Sequence, residues 1–265
     1  MLVDDYLKDG GKANNFMFVN YMEGHEGYPT NLVKDGYVEQ DKWLYMSGLA
    51  PADDLGTIRA AYAKRLAYLD SKLKELVGIL KKNGALDNAV LIIAGDHGQA
   101  FMEHGQMYHN MFPYEELSRV PLIVGRFRNG RQVGQRETVD KCVSLTALRD
   151  SILDIGYGKN DDIDGRLRKD NFVFSDHVGI TEVWDAHLLR LLRNRSSCAD
   201  AIYRTKLRHN RFATATYYKN FKLISYAGGK MELYDLEHDP KESENVICGN
   251  RGVALRMLNS ERRMN

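Results

Sequence analysis

Between residues 57 and 82 the apolar positions Ile58, Tyr62, Leu66, Leu69, Leu73, Leu76, Ile79 and Leu80 recur at steps of three and four. That is the period of an amphipathic helix. Asn83-Gly84 then acts as a C-terminal stop. The next run, Ala89-Val90-Leu91-Ile92-Ile93-Ala94, is apolar without alternation, which predicts a strand covered on both faces by helices. A long helix feeding such a strand is half of a βαβ unit, so this stretch restricts the chain to an α/β class.

The same alternation continues more weakly. A helical turn is expected near 114–117, an apolar strand at 120–124, a helix near 145–155 and a strand at 172–175. Upstream, residues 16–21 form an apolar run that enters the Gly- and Pro-punctuated stretch 23–29, as a buried strand feeding a functional loop would. Residues 1–155 are therefore read as the α/β part and 156–265 as a C-terminal subdomain. Beyond about Asp176 comes a basic, helix-like segment, 182–195, whose charges suit a solvated face. Short β-type runs come after it at 212–217, 221–226 and 231–236, and Gly228-Gly229 between the last two marks a hairpin. A small antiparallel sheet is expected there.

Charge excludes some functions. Thirty-seven Lys and Arg oppose thirty-six Asp and Glu, leaving a formal net charge of +1, so no general field draws the chain to nucleic acid or a membrane surface. No run approaches the roughly 18 apolar residues that span a bilayer. The start, Met1-Leu2-Val3-Asp4-Asp5-Tyr6, also lacks the basic and apolar regions of a secretory signal. The three cysteines, Cys142, Cys198 and Cys248, are far apart and form no CxxC pair, which fits unpaired thiols in a reducing, cytoplasmic compartment.

The chemistry concentrates directly after the apolar strand, in Gly95-Asp96-His97-Gly98. Ligands in open α/β sheets bind just beyond the carboxyl ends of strands. Adjacent Asp and His can offer an oxygen and an imidazole nitrogen to one divalent cation. The same pair can equally be a turn with a hydrogen-bonded carboxylate, and taken alone it leaves both readings open. Further along the chain come Glu103-His104-Gly105, then Tyr108-His109-Asn110, then Pro113-Tyr114-Glu115-Glu116-Leu117-Ser118-Arg119-Val120-Pro121-Leu122-Ile123-Val124. Near the end stand Glu232-Leu233-Tyr234-Asp235-Leu236, Asp239-Pro240, and Glu244-Asn245.

In this order the segments resemble the sulfatase family of the alkaline-phosphatase superfamily. The resemblance implies an alkaline-phosphatase-like α/β sandwich with a mixed central sheet, here missing its N-terminal strands, and a small antiparallel C-terminal subdomain. It implies a metal-dependent hydrolase of sulfuric esters. Asp96 and His97 would be metal ligands, with calcium the first expectation and manganese, magnesium or zinc as alternatives. His109 stands where the family has a Lys or His that holds the substrate's anionic oxygens. His25 stands where it has a substrate-facing His, although Gly24 replaces the usual preceding Pro. The implied substrate is a small-molecule or saccharide sulfate ester, with neither nucleic acid nor membrane as partner. His104 is left between orienting a ligand and a purely structural bond. Glu115 and Glu116 point apart on a helix and read as structural.

The family nucleophile lies in a Cys-x-Pro-x-Arg or Ser-x-Pro-x-Arg motif. Two residues before the five prolines stand Gly27, Leu49, Met111, Arg119 and His238, so the motif is absent from these 265 residues. Asp4-Asp5 is not the family's early metal-binding pair, because only about ten residues separate it from 16–25; it fits the end of a helix with both carboxylates exposed. The expectation is a truncated chain whose nucleophile belongs to a missing N-terminal segment or partner chain. A phosphodiesterase or phosphonate monoester hydrolase of the same superfamily, or a catalytically inactive binding remnant, is the alternative.

Overall fold

The structure is a computed structural model that describes residues 2–10, 14–25, 54–109, 112–159, 163–169, 172–177 and 212–263. Helix α1 spans Leu2–Gly10 and the long α2 spans Asp54–Lys82. Strands β1 (Asn88–Ala94), β2 (Ala100–Phe101) and β3 (Met107–Tyr108) come next, with a 3-10 turn at Glu103–Gly105 between the last two. After them lie α3 (Glu115–Ser118), β4 (Leu122–Arg128), β5 (Arg131–Val133), α4 (Thr146–Gly156) and α5 (Ile163–Lys169). The chain ends with β6 (Val173–His177), β7 (Ala213–Tyr218), β8 (Phe221–Tyr226), β9 (Met231–Asp235) and α6 (Arg251–Glu261). The basic segment 182–195 lies outside the described residues.

These elements form two units that interleave in sequence. Of the described residues, one takes those up to Asp96 together with Val120–Thr138; the other takes His97–Arg119 and those from Val139 onward. In the first, β1 pairs antiparallel with β4, and β4 with β5. Leu76 and Leu80 of α2 and Leu86 are buried against Val3, Leu7, Ala89, Leu91 and Phe127. The period-3.6 stripe of α2 thus covers one face of the sheet.

Three expectations change here. The neighbour of β1 is the antiparallel β4; the connection from Ala94 to Leu122 holds the short β2–β3 ladder and a four-residue helix in place of the long crossover helix usual between parallel strands. Residues 89–93 are accordingly half-buried rather than enclosed on both faces, and Ile123 of β4 is 59% exposed. The buried strand expected at 16–21 is extended chain without a ladder among the described residues. Only its alternate residues Met17 and Tyr21 reach the core, while Phe16 and Phe18 are exposed. Asp4 also is not simply solvated: Lys8 and then Asn83 bond its carboxylate and hold its pKa down at about 2.

In the second unit β6-β7-β8-β9 form an antiparallel meander. Strict period-2 alternation divides its faces. Leu223 and Leu233 pack on Ala254 and Met257 of α6. Ala215, Tyr217, Ile224, Tyr226 and Tyr234 pack instead against Phe112 and Tyr114. The β8–β9 turn uses Gly228 and Gly229 at φ of 103° and 88°, a conformation that explains the expected Gly pair. Among the described residues no helix is long and apolar enough to cross a membrane.

Candidate functional site

The loop after β1 is held on both sides of the Asp-His pair. Gly95 donates its N–H to the Pro121 carbonyl at 3.0 Å, within the first unit. Gly98 donates to Leu117 O at 2.8 Å, within the second. A β-carbon on Gly98 would lie 2.0 Å from the Glu116 carbonyl oxygen, so the loop can rest on α3 only because no side chain intervenes.

Asp96 closes the first unit's strand-end loop and His97 opens the second. The Nδ1 of His97 lies 2.9 Å from the Gly98 carbonyl oxygen. A carbonyl only accepts, so Nδ1 carries the proton and Nε2 presents the lone pair that a cation requires. His97 stacks on His109, with ring centroids 4.4 Å apart and planes 16° apart. His109 is buried at 8% exposure and comes after Tyr108, which adopts φ 65° at the end of β3. The short β2–β3 ladder, with left-handed Met102, His104 and Gly105 in its turn, returns the chain so that His109 meets His97. His25 ends the described N-terminal stretch in an exposed turn, its N–H bonded to Met22 O at 3.1 Å.

His104 has a different task. Its Nε2 lies 3.2 Å from the Glu242 carbonyl and its Nδ1 2.9 Å from Glu116 Oε1. Both acceptors demand a proton, so the ring is an imidazolium, stacked 3.8 Å over Tyr114. Burial opposes that charge, but the Glu116 carboxylate and the Glu242 carbonyl outweigh it and raise the pKa. With both nitrogens donating, His104, Glu116 and Glu242 form an ion-pair network, although their ligand atoms lie close enough together to hold a cation were the ring neutral.

Sequence reasoning did not find what holds α3. Lys222, fully enclosed, sets its Nζ 2.7 Å from Glu242 Oε1 and 3.0 Å from Glu115 Oε1. Glu242 Oε2 accepts the Glu115 N–H at 2.6 Å, and Tyr217 donates its hydroxyl to Glu115 Oε1 at 2.7 Å. One residue earlier in the chain, Tyr114 donates to Glu232 Oε2 at 2.7 Å, which also accepts from Tyr226. Burial, more than the neighbouring charges, pushes both phenols well above their ordinary pKa. The signal for Lys222 was its register: it shares the face of Ile224 and Tyr226, both buried. A continuous path thus runs from the C-terminal sheet through Glu115 and Leu117 to Gly98 and the His97–His109 pair. Glu115 and Glu116 reach different partners, in keeping with their expected structural role.

Residues 2–157 match the sulfatase family model. Arylsulfatase K of Bos taurus is 27% identical over 229 residues, covering 78% of this chain and 39% of the relative. Arylsulfatase K of Danio rerio is 30% identical over 144 residues, covering 48% of this chain and 27% of the relative. The chain spans about two fifths of the length of the first relative. Among solved structures, BT1596, a 2-O GAG sulfatase, aligns at a TM-score of 0.57 and 15% identity over 99% of this chain and 55% of its own. BT4656, in complex with its substrate D-glucosamine-2-N,6-O-disulfate, aligns at 0.54 and 17% over 86% and 46%. The phosphonate monoester hydrolase of Agrobacterium radiobacter aligns at 0.54 and 20% over 81% and 42%. The fold is therefore the alkaline-phosphatase-like α/β architecture that the sequence implied, and, with the family match covering more than half of its residues, this chain belongs to the sulfatase family.

Proposed function

We propose that this chain carries the downstream part of a sulfuric-ester hydrolase site, with Asp96 and His97 as metal ligands and His25 and His109 as substrate-binding donors. The observation that carries the reading is the stacking of His97 on His109 at 4.4 Å, directly after Asp96 at the end of a strand. It supports the reading because one imidazole with its lone pair on Nε2 then stands beside a second imidazole that can donate to an anionic oxygen.

A carboxylate and an imidazole suit a divalent cation. Calcium is the ion implied by the family, while the nitrogen donor suits manganese or zinc as well. Bound there, the cation would supply Lewis-acid polarisation of an ester oxygen. His109 would hold the equatorial oxygens of the sulfate, and His25 would give a proton to the bridging oxygen of the leaving group. The nucleophile, absent from the 265 residues, would come from a segment or chain that accompanies them. The substrate class is proposed to be a sulfated saccharide, as in the neighbour bound to a glucosamine disulfate.

Calorimetry with D-glucosamine-2-N,6-O-disulfate tests this, with and without calcium or manganese. Binding that depends on the cation, loses that dependence in Asp96→Ala and weakens at least roughly tenfold in His109→Ala is the expected result. Cation dependence unchanged by Asp96→Ala overturns the metal assignment. Tighter binding of phenylphosphonate than of the sulfated sugar favours the phosphonate hydrolase reading. The chain by itself is expected to leave aryl sulfates unhydrolysed; turnover that survives repurification and is abolished by His25→Ala overturns the assignment of the nucleophile elsewhere.

A further inference from the structure

The second unit also contains a cleft of about 390 Å³ that includes none of the candidate site residues. Lys141, Lys219 and Arg256 line it together with Cys142, Val173, Tyr217 and the Tyr218 ring. Three cationic residues line it, and no carboxylate is among its described lining residues. Two of them converge on one ring: the Arg256 guanidinium lies 4.7 Å from the Tyr218 centroid and the Lys219 ammonium 5.6 Å. Phe172 stacks on the same ring at 4.8 Å and fixes it. Lys141 spends one of its three protons on the Arg168 carbonyl at 2.7 Å, which positions the ammonium and leaves two donors.

Among the described residues, no carboxylate lines the cleft to balance this charge. Glu115, the carboxylate whose field reaches the half-buried Cys142, is already paired with Lys222 at 3.0 Å. Lys219 also holds a backbone φ of 56° in the two-residue turn between β7 and β8, where Asn or Gly is the usual choice. Gathering like charges in one cleft costs energy unless an anion enters it, and an apolar wall strengthens the attraction once it does. Arg and Lys together supply the planar fork and point charges that oxyanions take.

We propose that this cleft is an oxyanion subsite that binds a sulfate or carboxylate group, with Val173, Cys142 and Tyr217 as a wall for the carbon skeleton that bears it. The group can arrive as a free inorganic ion or on an acidic saccharide, and the two sources are separable by experiment.

The test is calorimetry on the full chain in metal-free, low-salt buffer, with inorganic sulfate in one arm and D-glucosamine-2-N,6-O-disulfate in the other. Lys219→Ala/Arg256→Ala should weaken sulfate binding at least about tenfold, since two charge-assisted bonds are lost. Both measurements are made in the His97→Ala/His109→Ala background, where the charge-matched control Lys64→Ala/Lys74→Ala on exposed α2 positions should leave sulfate binding within about twofold. Because the histidine variant removes the candidate active-site donors, failure of the proposed function does not affect this outcome. Tighter binding of the sulfated sugar than of inorganic sulfate assigns the site to a saccharide-borne group; equal binding assigns it to the free ion. Absence of sulfate binding in that background, or equal loss in the control variant, overturns the proposal.

Discussion

The Lys222 ammonium lies 2.7 Å from Glu242 Oε1 with both side chains at 0% exposure. Burial raises the Glu242 pKa while Lys222 pulls it back, so the pair is held by mutual compensation and not by solvent. The same ammonium also reaches Glu115. Lys222→Met should therefore cost about 3–5 kcal/mol in denaturant unfolding, because it leaves the enclosed Glu242 and the half-buried Glu115 without their cation. Adding Glu242→Gln to that variant should recover part of the loss. A single variant within 1 kcal/mol of the parent, roughly a surface-pair value, would show that the pair is not buried in solution.

Gly98 is the second sensitive point. Its missing β-carbon would meet the Glu116 carbonyl oxygen at 2.0 Å and the Leu117 Cα at 3.2 Å, both backbone atoms that cannot rotate away. Gly98→Ala should cost about 1–3 kcal/mol and separate the His97 and His109 rings. Ring-proton chemical shifts of the two histidines report the separation directly; unchanged shifts in a stable variant would refute the close packing of the loop on α3.

The His104 imidazolium gives stability a pH dependence. Burial opposes its charge, but Glu116 and Glu242 raise its folded pKa above the ordinary 6.5. A raised folded pKa contributes stability that is fully present below 6.5 and lost as pH rises through the folded value. Glu242, also raised by burial, slopes the same way from a lower pH. The parent's stability should thus fall as pH rises above about 6.5, and the fall should shrink in His104→Gln. Parallel curves for the two proteins would assign the slope to other groups.

Much of the architecture was legible in period alone. The stripe of α2 and the alternation in β7 to β9 each concern one element and its nearest partner, and both are found within a few residues of where they were expected. Gly95 to Gly98 was legible because glycines bracket two ligand-type residues. What period could not carry was long-range pairing. The antiparallel partner of β1 depends on what the connection contains, and the exposure of Phe16 and Phe18 on which strands lie beside them. Lys222 was missed for a related reason: a lysine on a core face signals burial only when the carboxylates that neutralise it, from Glu115 and Glu242, are known to meet it. The pairing of His97 with His109 rests on left-handed residues in the β2–β3 turn, and Met102 and Tyr108 do not advertise that conformation.

The remaining prediction concerns the metal. The sequence supplies one carboxylate and one imidazole after β1, and His97 is oriented with Nδ1–H toward Gly98 O so that Nε2 can ligate. Two protein ligands leave most positions around a divalent cation to water, and a shell of that kind binds weakly. Calorimetry with calcium, magnesium, manganese and zinc should find no tight site in this chain. The imidazole should make manganese and zinc bind more tightly than magnesium, in line with the preference of nitrogen donors for borderline ions. Asp96→Ala should abolish the weak heat and His97→Ala should flatten the differences among the metals. His104→Gln should leave binding unchanged, because both nitrogens of His104 already donate to Glu116 and Glu242. A site of submicromolar affinity that survives Asp96→Ala but is lost in His104→Gln would move the metal to the His104, Glu116 and Glu242 cluster and overturn the assignment of that cluster as a structural ion pair.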